Sequence, residues 1–354
     1  MAKAGSGKSY FATRSNKILN GKYVLFVTYT NQNTQVLLKY LRKSPVNYKK
    51  KEVKNWFEFL LDNFIRPYKR QYLEYLNIDN FSGISWDRNC WNGSLKNCWT
   101  DNHNHLFGYK CSSIILSNQS LLSRACDRLC RFYDYIVIDE FQDITGVDAD
   151  LLKILLFHVK NTSLKFLLFG DLYQANVQTT DVKPLLKNIR EIKDDKRFVR
   201  NKYGDGIEID TTTLIKSRRI GAGVANFINK ILKLKIETSK DNNSTVLPND
   251  LTTIPTNKEG ITNIFSKVEK ILVYNKTSLR KEYIKFKGKT VNWGYSKGET
   301  YDGPIAVVLT KEIYKKLNRH QDLSNISVGT FTKFYVALTR SRSNVYLVFL
   351  AKNK

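Results

Sequence analysis

Two clusters of residues in this chain have the types and spacing for chemistry, one near the middle and one at the start. Tyr135 to Asp143 reads Tyr-Ile-Val-Ile-Asp-Glu-Phe-Gln-Asp, an apolar strand-like run that passes directly into Asp139, Glu140, Gln142 and Asp143. In a parallel α/β sheet the carboxyl ends of the strands form the ligand crevice, so Asp139 and Glu140 are expected at its lip. One acid can hold a divalent cation while its neighbour polarises a water. The alternative is a strand followed by a solvated acidic turn. Ala2 to Ser9 satisfies the phosphate-loop pattern in its Ala-first form, with Gly7, Lys8 and Ser9 in the fixed positions. Gly5 and Gly7 let backbone N–H groups turn toward phosphate oxygens, and the helix that follows adds its positive end. Lys8 would neutralise the β- and γ-phosphates, and Ser9 would offer its hydroxyl oxygen to magnesium. A phosphate loop normally follows a buried strand, and here only Met1 to Ala4 precede it. Either that strand is very short or the chain begins inside its domain.

The elements that must position these groups alternate between strand and helix. Tyr23–Thr28 reads as a strand, followed by Tyr29-Thr30-Asn31 and a helical pattern through Leu37, Leu38 and Leu41. Trp56, Leu60 and Phe64 fall four apart, as do Phe57, Leu61 and Ile65, which predicts a helix with one apolar face. Residues 70 to 130 lose clear periodicity and become rich in Asn, Trp, Cys and Ser, which suggests an insertion. A helix is expected through Leu151, Leu152, Ile154 and Leu155, then a buried strand from Leu164 to Phe169 that ends in Gly170-Asp171-Leu172-Tyr173-Gln174. A charged, loop-rich stretch from 180 to 206 places a domain boundary near 205. In the second half, a helix runs through Val224, Phe227, Ile228 and Ile231. Glu237 to Lys258 reads as linker or loop, and Ile271–Val273, Ile305–Leu309 and Val345–Leu350 read as strands. Strands alternating with helices in both halves indicate two α/β lobes, 1–205 and 206–354.

At 354 residues the chain is long enough for two cores, and 42% hydrophobic residues with 20 Tyr and 19 Phe exclude disorder as the default. The net charge of +26, from 58 basic against 32 acidic residues, favours a polyanionic partner, nucleic acid being the commonest. A coding bias toward Lys would give the same charge with no partner. The cysteines, Cys90, Cys98, Cys111, Cys126 and Cys130, form no even framework, so a reduced, cytoplasmic setting fits best. No apolar run approaches the roughly 18 residues that span a bilayer. Cys90, Cys98, His103, His105 and Cys111 lack the close cysteine pairing of zinc sites, and Cys126 and Cys130 read as buried thiols on a helix.

In order along the chain, Ala4-Gly5-Ser6-Gly7-Lys8-Ser9, Thr28-Tyr29-Thr30-Asn31, Ile138-Asp139-Glu140-Phe141-Gln142-Asp143, Gly170-Asp171 with Gln174, Ser217-Arg218-Arg219, Ser296-Lys297-Gly298 and Val336-Ala337-Leu338-Thr339-Arg340 resemble the motifs of the superfamily 1 helicases of the UvrD/Rep type. The chain looks closest to a compact group of UvrD-like proteins of bacteria and phages. The resemblance spans nearly the whole chain apart from 70–130 and 235–290. It implies two RecA-like P-loop NTPase lobes with parallel sheets, with ATP and magnesium between them. Lys8 and Ser9 would then bind phosphate and metal, Asp139 would hold magnesium through water, and Glu140 would be the general base. Gln142 and Gln174 would sense the γ-phosphate, and Arg219 and Arg340 from the second lobe would be arginine fingers, their alternative being surface solvation or phosphate contact with DNA.

The resemblance further implies contacts with single-stranded DNA, or a junction of single and double strands, at Tyr29, Thr30 and Asn31 and around Trp56 and Phe57. Core packing is the alternative for those two aromatics. Where the family sandwiches adenine between an arginine after the phosphate loop and an aromatic beside the first finger, this chain has Tyr10 and Arg218, the types reversed. The family's adenine-reading glutamine segment lies upstream of the phosphate loop and has no counterpart here. Whether Glu299 or Thr300 fills the acid position of the fifth motif is open. Only about 78 residues separate Arg219 from Lys297, too few for a large accessory subdomain. Three readings follow as expectations: an ATP-driven motor moving 3′ to 5′ on single-stranded DNA, a nucleic-acid-binding subunit with weak or no ATPase that acts through a protein partner such as a nuclease, or an N-terminally truncated fragment with no activity of its own.

Overall fold

The computed structural model describes residues 1–87, 99–175, 195–239, 242–249, 251–275 and 279–351. Two parallel sheets organise it. The first contains β1 (Tyr23–Thr28), β2 (Lys50–Asn55), β5 (Tyr135–Asp139) and β6 (Lys165–Phe169) in the order β2-β1-β5-β6. Between them in sequence, β3 (Gly83–Ser85) and β4 (His105–Phe107) form a separate parallel pair. In the second half, β7 (Lys216–Ser217) pairs with β8 (Glu237–Thr238). The larger sheet there holds β9 (Val246–Leu247), β10 (Lys270–Val273), β11 (Thr290–Asn292), β12 (Ile305–Val308) and β13 (Val345–Val348), in the order β11-β10-β12-β13-β9. The fold is thus α/β with two parallel-sheet lobes.

Apart from Thr28 and Asp139 at their carboxyl ends, β1 and β5 are apolar throughout because helices cover both faces. Along β1, Leu25 and Val27 enter one core and Val24 and Phe26 the other. In β5, Ile136 and Ile138 face the first core and Val137 the second. The first of these cores is continuous across the lobes: it also takes Leu272, Val307, Leu347 and the apolar side of the helix Val328–Leu338. Burial of that helix sets the second lobe firmly against the first.

Four expectations are revised. First, β6 is only half-buried, because no strand pairs with its outer side among the described residues. Met1 to Ala4 form no strand; the Ala2 N–H donates to the Gly170 carbonyl at 3.0 Å, beside the end of β6. Second, the segment 70–130 is less of an insertion than its composition suggests. The helix Gln119–Phe132 buries Leu121, Leu122, Ala125, Cys126 and Leu129 in the main core. Third, the polar stretch 237–258 contributes β8 and β9. Fourth, the aromatic helix begins as Trp56–Leu60, widens into a π-turn over Leu61–Ile65 and tightens over Arg66–Tyr68, so one regular stripe becomes a broader buried surface. Cys90 and Cys98 lie outside the described residues. Cys111, Cys126 and Cys130 are free thiols. Among the described residues no helix is long and apolar enough to cross a membrane.

Candidate nucleotide site and the adjoining sheet edge

The phosphate loop turns through two left-handed glycines, Gly5 at φ 74° and Gly7 at φ 89°. Gly5 is needed for a second reason: a Cβ there would stand 2.6 Å from both the Arg219 Cβ and the Ser217 Oγ. The second lobe therefore rests directly on the loop, and the Arg218 N–H donates to the Gly5 carbonyl at 2.9 Å. The Ala4 N–H donates to the Tyr335 hydroxyl at 3.2 Å, another link between lobes. The Ser6 Oγ is buried without a partner, an orphaned polar atom that a ligand oxygen would satisfy. Lys8, also buried, opens the one-turn helix Lys8–Ala12, with its Nζ 3.8 Å from Glu140.

Asp139 closes β5, and Ser9 donates its hydroxyl to the Asp139 carboxylate at 2.5 Å. That pair of oxygens suits magnesium, which takes one or two protein ligands and leaves the rest of its shell to water and phosphate. Glu140 sits in the left-handed region at φ 56° and ψ 42°. For a residue with a side chain this costs about 1–2 kcal/mol, a strain typical of functional turns. Its N–H donates to Asp139 at 3.1 Å, and the Gln142 amide donates to its carboxylate. Burial, then the Glu140 charge, pushes Asp139 up to about 6. Burial acts on Glu140 in the same direction, but Lys8 and then Lys297 outweigh it and hold this acid down to about 2.

Asp143 is fully buried and receives Lys297 from the second lobe at 2.6 and 2.7 Å. Lys297 also donates to the Gln174 carbonyl at 2.9 Å and lies 3.9 Å from Glu140. Gln142 accepts the Asp171 N–H at 3.0 Å, while the Gln174 amide and the Tyr335 hydroxyl both donate to the Asp171 carboxylate, at 2.9 and 3.0 Å. Gly170 admits this arrangement, since a Cβ there would meet Gln142 and Phe141 at 2.5 Å.

The two arginines complete the ring. Arg340, 2% exposed, donates to the carbonyls of Val336 and Glu299, to Thr339 Oγ1 and to Gln174 Oε1 at 2.9–3.4 Å. Arg219 donates to the Thr339 carbonyl at 3.0 Å. Every one of these acceptors is neutral, and among the described residues neither guanidinium has a carboxylate within ion-pair distance. Burial, followed by repulsion from Arg340, lowers Arg219 to about 9, and burial lowers Arg340. One buried and one half-buried guanidinium, neither in contact with a carboxylate, bring an excess of positive charge to the side of the site that faces Lys8, an arrangement that suits a multiply charged anion.

Tyr10 and Arg218 have separate surroundings. Tyr10 is exposed under the Arg14 guanidinium, 4.5 Å from its ring. Arg218 lines an open polar cleft of about 800 Å³ with Asn242, Ser244, Asp302 and Arg342. The carboxylate of Glu299 accepts the Tyr301 hydroxyl.

Next to β5 in the sheet, β1 ends at Thr28, in register with Asp139. Beyond it, Tyr29 donates to Asp148 at 3.2 Å. Thr30 caps the helix Asn31–Arg42, and exposed Asn31 accepts from Asn55 at 2.7 Å. Trp56 departs from the expected role in nucleic-acid contact: it is 3% exposed and packs on Phe59, its helix having turned it into the core. Phe57, one residue on, is half-buried at the surface against Trp86. Lys297, Tyr335 and Trp86 were not singled out as site residues by the sequence. A lysine and a tyrosine in otherwise motif-like runs were the available signal for the first two, and nothing marked the third.

No family model matches the chain, and no curated protein does. Among solved structures it is similar to the arterivirus nonstructural protein 10 helicase in complex with DNA. The TM-score there is 0.46 and the identity 12%, over 98% of this chain and 59% of that one. It is also similar to Pif1 from Bacteroides sp., with TM-score 0.33 and 13% identity in the complex with ADP-AlF4, covering 99% of this chain and 88% of the other. The unliganded form gives TM-score 0.35 and 12% identity over 99% and 93%. This chain spans 59% of the arterivirus protein's length. Its function has to be argued from its own site.

Proposed function

We propose that this chain is an ATP-hydrolysing motor of superfamily 1, of the UvrD-like type, that moves 3′ to 5′ on single-stranded DNA. What supports the reading most is that Arg340 is buried and Arg219 half-buried, both with hydrogen bonds only to neutral acceptors, next to Lys8 and the Asp139–Glu140 pair. Phosphoryl transfer asks little covalent chemistry of a protein and much positive charge around the γ-phosphate. In this reading the phosphate-loop N–H groups and Lys8 hold the β- and γ-phosphates, and Arg219 and Arg340 meet the transferring group from the other lobe. Glu140, kept ionised by Lys8 and Lys297, accepts the proton of the attacking water. Gln142 and Gln174 join the acid pair to the finger helix through Asp171. Ser9 and Asp139 would hold magnesium, which when bound adds positive charge at the phosphate oxygens.

Residues 1–205 would form the ATP-binding lobe and 206–354 the lobe that carries the fingers. Tyr10 and Arg218 would flank the base of the nucleotide, and Tyr29, Thr30, Asn31 and Phe57 would meet the nucleic acid. A cytoplasmic setting accords with the free thiols. The test is ATP hydrolysis with and without single-stranded DNA, beside Lys8→Ala and Glu140→Gln. Strong stimulation by DNA, lost in both variants, is expected. Equal background in all three proteins removes the motor and leaves a nucleic-acid-binding subunit.

A further inference from the structure

Trp86 is 58% exposed, yet it is not loosely held. Its ring lies 4.6 Å from that of Phe57 at an interplanar angle of 60°. Its other support is Gly108, where a Cβ would stand 2.8 Å from the indole, so the ring is seated on bare backbone. Phe57 belongs to the first turn of the helix that Asn55 caps, and the Asn55 side chain also donates to Asn31, at 2.7 Å. The aperiodic segment after residue 76 thus carries an indole to the first turn of the helix that follows β2, at the carboxyl edge of the sheet. A large aromatic surface fixed on two sides and open to water on the rest costs free energy unless something covers it.

We propose that Trp86, backed by Phe57, is a stacking platform for a base of single-stranded nucleic acid, a contribution of the aperiodic segment rather than of the lobe's core. The inference rests on the function proposed above. A polyanion is the partner that a chain of charge +26 attracts. An indole face accepts any base, as a translocating protein requires. The backing ring, Phe57, lies in the first turn of the helix after β2, one strand over from β1, whose end is in register with Asp139.

The experiment measures binding of a fluorescent single strand to the full chain by anisotropy across a salt series, for wild type, Trp86→Ala and Trp86→Phe. Loss of one stacked base weakens binding about 5- to 150-fold. Trp86→Ala should show that loss with an unchanged slope of log affinity against log salt, since no phosphate contact is removed. Trp86→Phe should recover part of it. An abasic strand of the same length separates stacking from misfolding: wild type should prefer the base-bearing strand, and Trp86→Ala should not. An equal preference in both proteins, or a loss that comes with a shallower salt slope, overturns the platform. A wild type that binds no single strand overturns the proposed function as well. Capture of the Trp86 face by an apolar peptide with no effect of the strand would assign the platform to a protein partner and overturn the inference.

Discussion

Replacing Arg340 with Met keeps the length of the side chain and removes its charge. The guanidinium donates to four neutral oxygens, two of them at 3.4 Å, so the variant forfeits two good bonds and two weak ones. Bonds from a charged donor contribute about 1.5–3 kcal/mol each, so the good pair amounts to roughly 3–6 kcal/mol. Against this stands the penalty for an ion kept from water with no carboxylate in contact, several kcal/mol that the more distant Glu140 and Asp171 only partly offset. The two nearly cancel, and the nucleotide-free protein should keep its stability to within about 2 kcal/mol, a shift of at most roughly 4–8 °C in a domain of this size. The effect on hydrolysis is not balanced in this way. An arginine on the transferring phosphoryl group contributes about 10³–10⁵ in rate, or roughly 4–7 kcal/mol of barrier. Scanning fluorimetry without nucleotide and single-turnover hydrolysis at saturating ATP and DNA measure the two quantities separately. A rate loss under about tenfold, or a large drop in melting temperature that accounts for the lost turnover, would show Arg340 to be a packing residue and refute the reasoning.

Lys297→Met leaves Asp143 fully buried and without its counter-charge, which costs about 3–5 kcal/mol. Thermal melts should show a clear loss that the further change Asp143→Asn largely restores, and equal melts for single and double variants would contradict this. Acidification should act through Asp139 rather than Glu140. Burial raises both Asp139 and Asp143 to about 6, so both are neutral below that pH, whereas Glu140, held at about 2, stays ionised; magnesium affinity should therefore fall as the pH drops through about 6. A magnesium affinity that is the same at pH 5 and pH 7 would contradict the assignment of Asp139 to the metal.

Much of the site was legible because phosphate chemistry fixes short spacings. Lys8 and Ser9 are set by the loop, and Asp139 and Glu140 by the end of an apolar strand. The strands β1 and β5 were equally plain, since a parallel strand covered on both faces leaves no polar position to blur its ends. What escaped was decided by distant partners. Lys297 and Asp143 are 154 residues apart, and no local pattern announces their contact. The apolar run of β6 reads the same whether or not its outer side is paired. Trp56 and Phe57 both fit a helical stripe, and only the direction from which the core approaches decides which ring is hidden. Trp86 lies in a segment with no period, so its place above Gly108 had no sequence counterpart.

The register of Thr28 beside Asp139 has a mechanical consequence. Adjacent strands of a ladder shear poorly, so the end of β1, which leads to Asn31, and the acids at the end of β5 are mounted on one stiff plank. Neither can advance relative to the other. Across the divide, Gly298 at φ 87° comes so near Asn33 that a Cβ would stand 3.3 Å from its Oδ1, while Lys297 and the helix Val328–Leu338 grip the acids. If the chain walks, the second lobe moves against this plank, and its travel has to rearrange the apolar core that the two lobes share as well as these cross-lobe bonds.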